Sequence, residues 1–296
     1  MQVQANGIGI EVEDSGGSGP CVLLVMGLGM QLIAWPPAFV QALVDAGFRV
    51  VRFDNRDIGL STHFDGKGLP NVLWETVKLR LGFGVRAPYT LEDMGRDALG
   101  VLDALGIGQA HVVGVSMGGM IAQRVALTAP QRVKSLTSIM STSGARGLPE
   151  PRPHVIRALI GRPAGPGREA VIDHYIKLFG VIGSPAWPQP EAAMRERIGA
   201  GVDRSHHPAG TLRQLVAVAA DTGIRAQQLG RITAPTLVMH GKSDPLVPFP
   251  CGEDTASRIP GARFVGIEGM GHDLPPEAVE RVLQALVPFL QSHEHP

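Results

Sequence analysis

Cysteine is almost missing from this chain. Its two residues, Cys21 at the head of an apolar run and Cys251 beside a proline, have no spacing that suits a metal or a redox pair. Neither a disulfide framework nor a zinc module is therefore expected, and both read as reduced thiols in or near the core. Net charge is missing too: 27 Lys plus Arg balance 27 Asp plus Glu, with no long like-charge run. That balance gives no sign of a nucleic-acid partner or of an acidic membrane surface. No apolar run reaches the roughly 18 residues of a membrane span, and residues 1–7 lack the basic start and apolar stretch of a signal peptide. A cytoplasmic protein without a membrane span is expected. No internal repeat is visible.

Apolar residues, at 44% of 296, supply an ample core. Apolar β-branched runs alternate with helical spacings along most of the chain. A hairpin turning at Asn6-Gly7 leads to a buried strand from Cys21 to Met26, then a helix with Phe39, Val40, Leu43 and Val44 on one side. A strand over 48–53, a helix opened by the capping box at Thr90 and Asp93, and strands over 110–115 and 132–140 follow. This is a mostly parallel, doubly wound α/β sheet. The alternation breaks after residue 143, where proline and glycine at 147–153, 161–167 and 183–190 punctuate helical pieces over 170–179, 192–198 and 212–220. The expected division is an α/β core of 1–143 and 229–296 with a helical cap of 144–228. Strands over 234–240 and 262–267 resume the sheet, and a helix over 277–290 closes it.

The organising stretch is Gly114-Val115-Ser116-Met117-Gly118, caught between a β-branched run and a helical one. In that setting Gly-x-Ser-x-Gly makes a sharp strand-to-helix turn that lifts the serine hydroxyl clear of the sheet. A serine hydroxyl needs a base, and the base an orienting acid. Asp244 follows one strand and His272 the next, so all three lie where open α/β sheets place their sites. Asp273 adjoins the base but points elsewhere, and Asp221 lies in the helical insertion. Cofactors and metals are not expected.

Three further stretches carry expectations. The cluster Asp54 to Ser61 reads as a polar network that satisfies loop backbone. Residues 71–83 read as a short helix packed on the body of the protein, in preference to a membrane-touching or dimer face. Tyr175, Leu178, Phe179, Ile182 and Trp187 are expected to roof the site, with Phe179 and Trp187 as substrate-binding candidates.

Together Met26-Gly27-Leu28-Gly29, Asp54-x-Arg56-Asp57-x-Gly59-x-Ser61, Gly114 to Gly119, Pro235 to Asp244 and Gly269-Met270-Gly271-His272 resemble the α/β-hydrolase fold family across nearly the whole chain. Within it they look most similar to bacterial esterases of the aclacinomycin methylesterase type. The resemblance implies a second oxyanion amide at Leu28 beside that of Met117, and a cap between residues 144 and 229. Two positions depart from the family: Met26 stands where many members have histidine, and Asp57 where many have glycine. The leading expectation is a cofactor-free serine carboxylesterase that forms an acyl-enzyme on a small-molecule ester. A carbon-carbon hydrolase or perhydrolase on the same triad, a non-catalytic ligand receptor, and a homo-oligomer stay open.

Overall fold

Eight strands form one sheet in a computed structural model that describes residues 1–294. They are β1 (Gln2–Ala5), β2 (Ile8–Asp14), β3 (Cys21–Val25), β4 (Arg49–Phe53), β5 (Ala110–Val115), β6 (Val133–Ile139), β7 (Thr236–Gly241) and β8 (Arg263–Ile267), in the spatial order β1-β2-β4-β3-β5-β6-β7-β8. The β1/β2 and β2/β4 pairs are antiparallel and all later pairs parallel. β3 and β5 are buried at every residue, as strands covered on both faces must be, which explains their unbroken apolar runs.

One face is covered by α1 (Pro37–Asp45) and α10 (Pro276–Gln291), through Trp35, Phe39, Leu43, Val282, Leu286 and Phe289. The other is covered by α3 (Leu91–Ala104) and α4 (Met117–Thr128), through Met94, Val101, Ile121 and Val125. Thr90 and Asp93 close the expected capping box on α3. Cys21 and Cys251 are both buried and unpaired. The remaining core helix, α9 (Pro250–Arg258), lies between β7 and β8. Among the described residues no helix is long and apolar enough to cross a membrane.

Between β6 and β7 stand four helices: α5 (Pro153–Leu159), α6 (Arg168–Ile182), α7 (Glu191–Arg204) and α8 (Pro208–Ala220). α5 is not expected from the sequence, because its seven residues fit between two proline- and glycine-rich stretches. α7 also runs six residues beyond the expected stop at 198. The insertion is built in two ways. Val155, Leu178 and Ile182 share a small core of their own with Tyr175, Phe179 and Leu246, whereas α8 enters the main core through Ala217 and buries Arg213 and Gln214.

One expectation holds in part. α2 (Val72–Arg80) is a helix packed on α8 with Val72 and Leu79 half-buried, but Leu73 is 77% exposed and Trp74 59%. The inward side is shared by Val72 and Leu79 with the Glu75–Lys78 ion pair, at 2.7 Å, and Glu75 also accepts the Arg86 N–H. With that side filled, the other apolar side chains of the helix face water.

Candidate active site

Ser116 sits between β5 and α4 with φ 54° and ψ −122°, a region that side chains rarely occupy. The surroundings enforce it. The Ser116 N–H donates to Ile139 O at 2.9 Å, and the Ser141 hydroxyl donates to Ser116 O at 2.7 Å. Gly118 must lack a side chain because a Cβ there would lie 2.8 Å from Met26 O. Gly27 passes so near that a Cβ on it would stand 3.3 Å from Ser116 Cβ. The nucleophile elbow and the loop after β3 are thereby pressed together.

His272 Nε2 lies 3.0 Å from Ser116 Oγ, and His272 Nδ1 lies 2.7 Å from Asp244 Oδ2. The other oxygen of Asp244 accepts the Leu246 and Val247 N–H groups, at 2.9 and 2.8 Å. A carboxylate so held can accept only from Nδ1–H, which leaves the Nε2 lone pair facing the serine. The base is fixed from the insertion as well, since His272 N–H donates to Ile182 O at 2.7 Å. Asp273 is turned away and accepts from both the Ser184 N–H and hydroxyl; burial holds its carboxyl above the usual range. Asp221 is occupied by Arg124 and Arg225. Of the acids considered, only Asp244 meets the histidine.

Met117 opens α4, so its N–H is one of the helix's free amino-terminal donors, and Leu28 follows Gly27 at Ser116. Among the described residues neither amide is engaged by an acceptor. Four hydrogen bonds hold the loop that carries Leu28. Gly29 N–H donates to Gln214 Oε1 at 2.9 Å, Asn55 Nδ2 donates to Met26 O at 2.9 Å, and Gln31 Nε2 donates to Gly201 O and Ser205 O.

The polar cluster after β4 is the expected loop network, and it reaches further than the sequence suggests. Asp54 accepts from the Leu32 and Leu60 N–H groups and pairs with Arg204 at 2.7 Å. Arg56 forms a buried pair with Asp97 at 2.5 Å. Asp57, the departure from glycine, has φ 72°, which accounts for glycine at that position elsewhere. Here the aspartate is held by bidentate contact with Arg213, at 2.6 and 2.8 Å, and by the Tyr89 hydroxyl at 2.9 Å. Burial alone would raise its carboxyl, but Arg213, the Phe64 amide and Tyr89 outweigh it and keep it below the usual range.

Arg204, Arg213 and Gln214 went unread in the sequence. An arginine or glutamine on a helix of the insertion shows no partner until the fold supplies a carboxylate or a loop backbone group 150 or more residues away. His240 was missed likewise. It is buried at the end of β7, where Nε2 donates to Val247 O at 2.7 Å, and it lies 3.6 Å from Asp244.

Phe179 packs in the small core of the insertion with its ring 5.7 Å from the Arg197 guanidinium. That core includes Ile182, which binds the His272 backbone, and Leu246, two residues beyond Asp244. Trp187 does not join it: its ring lies 5.3 Å from Arg281, on the α1/α10 side. His63, Asp65 and His207 bring potential ligand atoms within 4.8 Å of one another. Yet His207 already contacts Asp57 O and Asp65, and its ring stacks on His63 at 3.8 Å and 4°. Rings stacked face to face do not aim their in-plane lone pairs at one ion.

The family profile described as alpha/beta hydrolase fold matches residues 20–165. The rhodomycin D methylesterase DauP of Streptomyces sp. (strain C5) is 32% identical over 86% of this chain and 85% of its own length. The chain belongs to the alpha/beta hydrolase fold family. A second relative, the rhodomycin D methylesterase DnrP of Streptomyces peucetius, is 31% identical over the same shares of each chain. A thermophilic esterase from Thermogutta terrifontis superposes with a TM-score of 0.71 at 25% identity, covering 100% of this chain and 99% of that one.

Proposed function

We propose that this ester hydrolase works through an acyl-enzyme on Ser116, with His272 as general base and acid and Asp244 as the acid that orients it. The observation that carries the reading is the unbroken chain Ser116 Oγ, His272 Nε2, His272 Nδ1, Asp244 Oδ2, at 3.0 and 2.7 Å, on a serine held in a strained turn. His272 takes the Ser116 proton as Oγ attacks the ester carbonyl. The oxyanion so formed is received by the Leu28 and Met117 N–H groups, which point at charge that exists only in the transition state. His272 then passes its proton to the departing alcohol. In the second half it draws a proton from water, which attacks the acyl carbonyl and frees the serine.

Likeness to two methylesterases supports a small alcohol as leaving group and a larger acid as the part recognised. The core around Leu178, Phe179 and Ile182 touches the loops of both Asp244 and His272 and supports residues 144–228 as the cap above the acyl group. Phe179 is the better placed of the two aromatic candidates. The buried, unpaired cysteines suit a reducing, cytoplasmic setting.

Ser116→Ala decides the reading. Turnover of a p-nitrophenyl ester should fall about 10⁴-fold or more, and mass spectrometry should find an acyl adduct in the parent and none in the variant. The melting temperature should hold, because backbone contacts and not the hydroxyl maintain the turn. Retention of most activity by the alanine variant would remove Ser116 as nucleophile.

A further inference from the structure

Six of the ten large apolar side chains exposed among the described residues fall within 15 positions: Leu69, Leu73, Trp74, Val77, Leu81 and Phe83. They form a patch. Leu73, Trp74, Val77 and Leu81 stand at helical spacing on one side of α2, with Leu69 and Phe83 flanking it at 69% and 63% exposure. α2 carries apolar side chains on both sides, with Val72 and Leu79 half-buried on the inner one, and what sets it apart is how many large apolar side chains it leaves in water. Leaving them in water forgoes the gain that covering Trp and Leu side chains would bring, and an apolar surface of this extent marks a contact.

The charges around the patch name its occupant. Residues 66–88 hold Lys67, Lys78, Arg80 and Arg86 against the single carboxylate Glu75, a local formal charge of +3 in a chain whose net is zero. Glu75 is already engaged by Lys78. Arg80 reaches only the exposed Glu150, at 3.8 Å. A second copy of the chain fits poorly, because a two-fold contact would set these cations against themselves. A helix with Trp, Phe and Leu outward and lysine and arginine around them matches the headgroup boundary of an anionic bilayer.

We propose that residues 69–83 are an interfacial anchor by which the enzyme lies on an anionic lipid surface. Leu73, Trp74, Leu81 and Phe83 enter the headgroup boundary, and Lys67, Arg80 and Arg86 meet the anionic headgroups. The anchor adjoins the catalytic machinery, for α2 packs against α8, whose Gln214 holds Gly29. Docking therefore sets that side of the insertion near the membrane plane. The proposal does not depend on the esterase reading.

The test is co-sedimentation of the full chain with vesicles of phosphatidylcholine containing phosphatidylglycerol, against phosphatidylcholine alone. Trp74 serves as reporter, since Trp35 is fully buried and Trp187, half-buried on the α1/α10 side, adds a constant background that a Trp74→Phe control measures. The parent should bind the anionic vesicles, with its emission shifted to the blue, and should be released by salt. Leu73→Ser with Leu81→Ser should weaken binding about tenfold or more. Lys67→Glu with Arg86→Glu should do so by a similar factor and abolish the preference for anionic lipid. Melting temperature and turnover of a water-soluble ester should stay at parental values in both, which separates the anchor from folding and from catalysis. Absence of binding to either vesicle overturns the proposal, as does equal binding to both that neither variant reduces. Self-association by light scattering that Leu73→Ser with Leu81→Ser abolishes, without vesicle binding, assigns the patch to a second copy and overturns it too.

Discussion

Whether an acidic residue serves the base is decided by which atoms it has already spent. Asp244 uses one oxygen on two loop amides and keeps the other for His272 Nδ1, whereas Asp273 spends Oδ1 twice on Ser184. Asp244→Asn should therefore lower kcat by about 10⁴-fold, by presenting an amide that favours the wrong imidazole tautomer. Asp273→Asn should lower kcat little and act on stability, because it loosens the tie between Ser184 and the loop of His272. A kinetic ranking in the opposite order would call for a different triad. The same logic explains Asp57. A left-handed backbone that elsewhere takes glycine tolerates aspartate here because Arg213 and Tyr89 use its carboxylate.

Among the elements, α8 is the link between insertion and chemistry. Gln214 is fully buried and bonds both Gly29 N–H and Arg56 O, so it holds the loop that positions the Leu28 amide. Gln214→Leu should lower kcat roughly tenfold with KM little changed, since small displacements of an oxyanion donor weaken transition-state contacts and spare ground-state binding. A rise in KM at constant kcat would make Gln214 a substrate contact instead. Under the proposed function, α6 carries the choice of acyl group. Phe179→Ala should change the ratio of kcat/KM for acetyl and octanoyl esters by about 10-fold if its ring meets substrate. Trp187→Ala, packed toward α10, should lower the melting temperature and leave that ratio alone. An unchanged ratio in both variants would remove both from the substrate site.

For the whole molecule, two fully buried histidines tie stability to pH in the mildly acid range. His111 is fully buried in β5, between Ser135 and Glu294, and His240 is fully buried in β7. Burial holds both imidazoles below their usual value, against the opposing pull of Glu294 and Asp244. A group whose folded pKa is depressed binds fewer protons folded than unfolded. Its contribution is complete above the unfolded value, about 6.5, and is lost as pH falls through the folded one. Urea midpoints should fall as pH drops below about 6.5, well above the carboxylate range near 4, and His111→Asn should flatten that slope. A flat parental profile over that interval would contradict this assignment.

Much of this protein is local enough to be written in the sequence. The nucleophile elbow is contiguous, Ser116, Asp244 and His272 follow β5, β7 and β8 in that order, and unbroken apolar runs announce strands buried on both faces. What was not legible depends on distance. Asp54 and Asp57 read as a loop network, but their partners Arg204 and Arg213 lie some 150 residues on, and no periodicity links them. Gln214 on the oxyanion loop is hidden for the same reason. α5 is too short for its spacing to stand out between prolines and glycines. The helical propensity of residues 72–80 was readable, but its facing was not. An apolar stripe shows only that one side of a helix seeks cover, while the tertiary fold decides which side meets the protein. Here Val72, Leu79 and the Glu75–Lys78 pair hold the inner side, so Leu73, Trp74 and Val77 look outward. The balanced composition likewise conceals a local surplus of cations that becomes a surface only once the chain is folded.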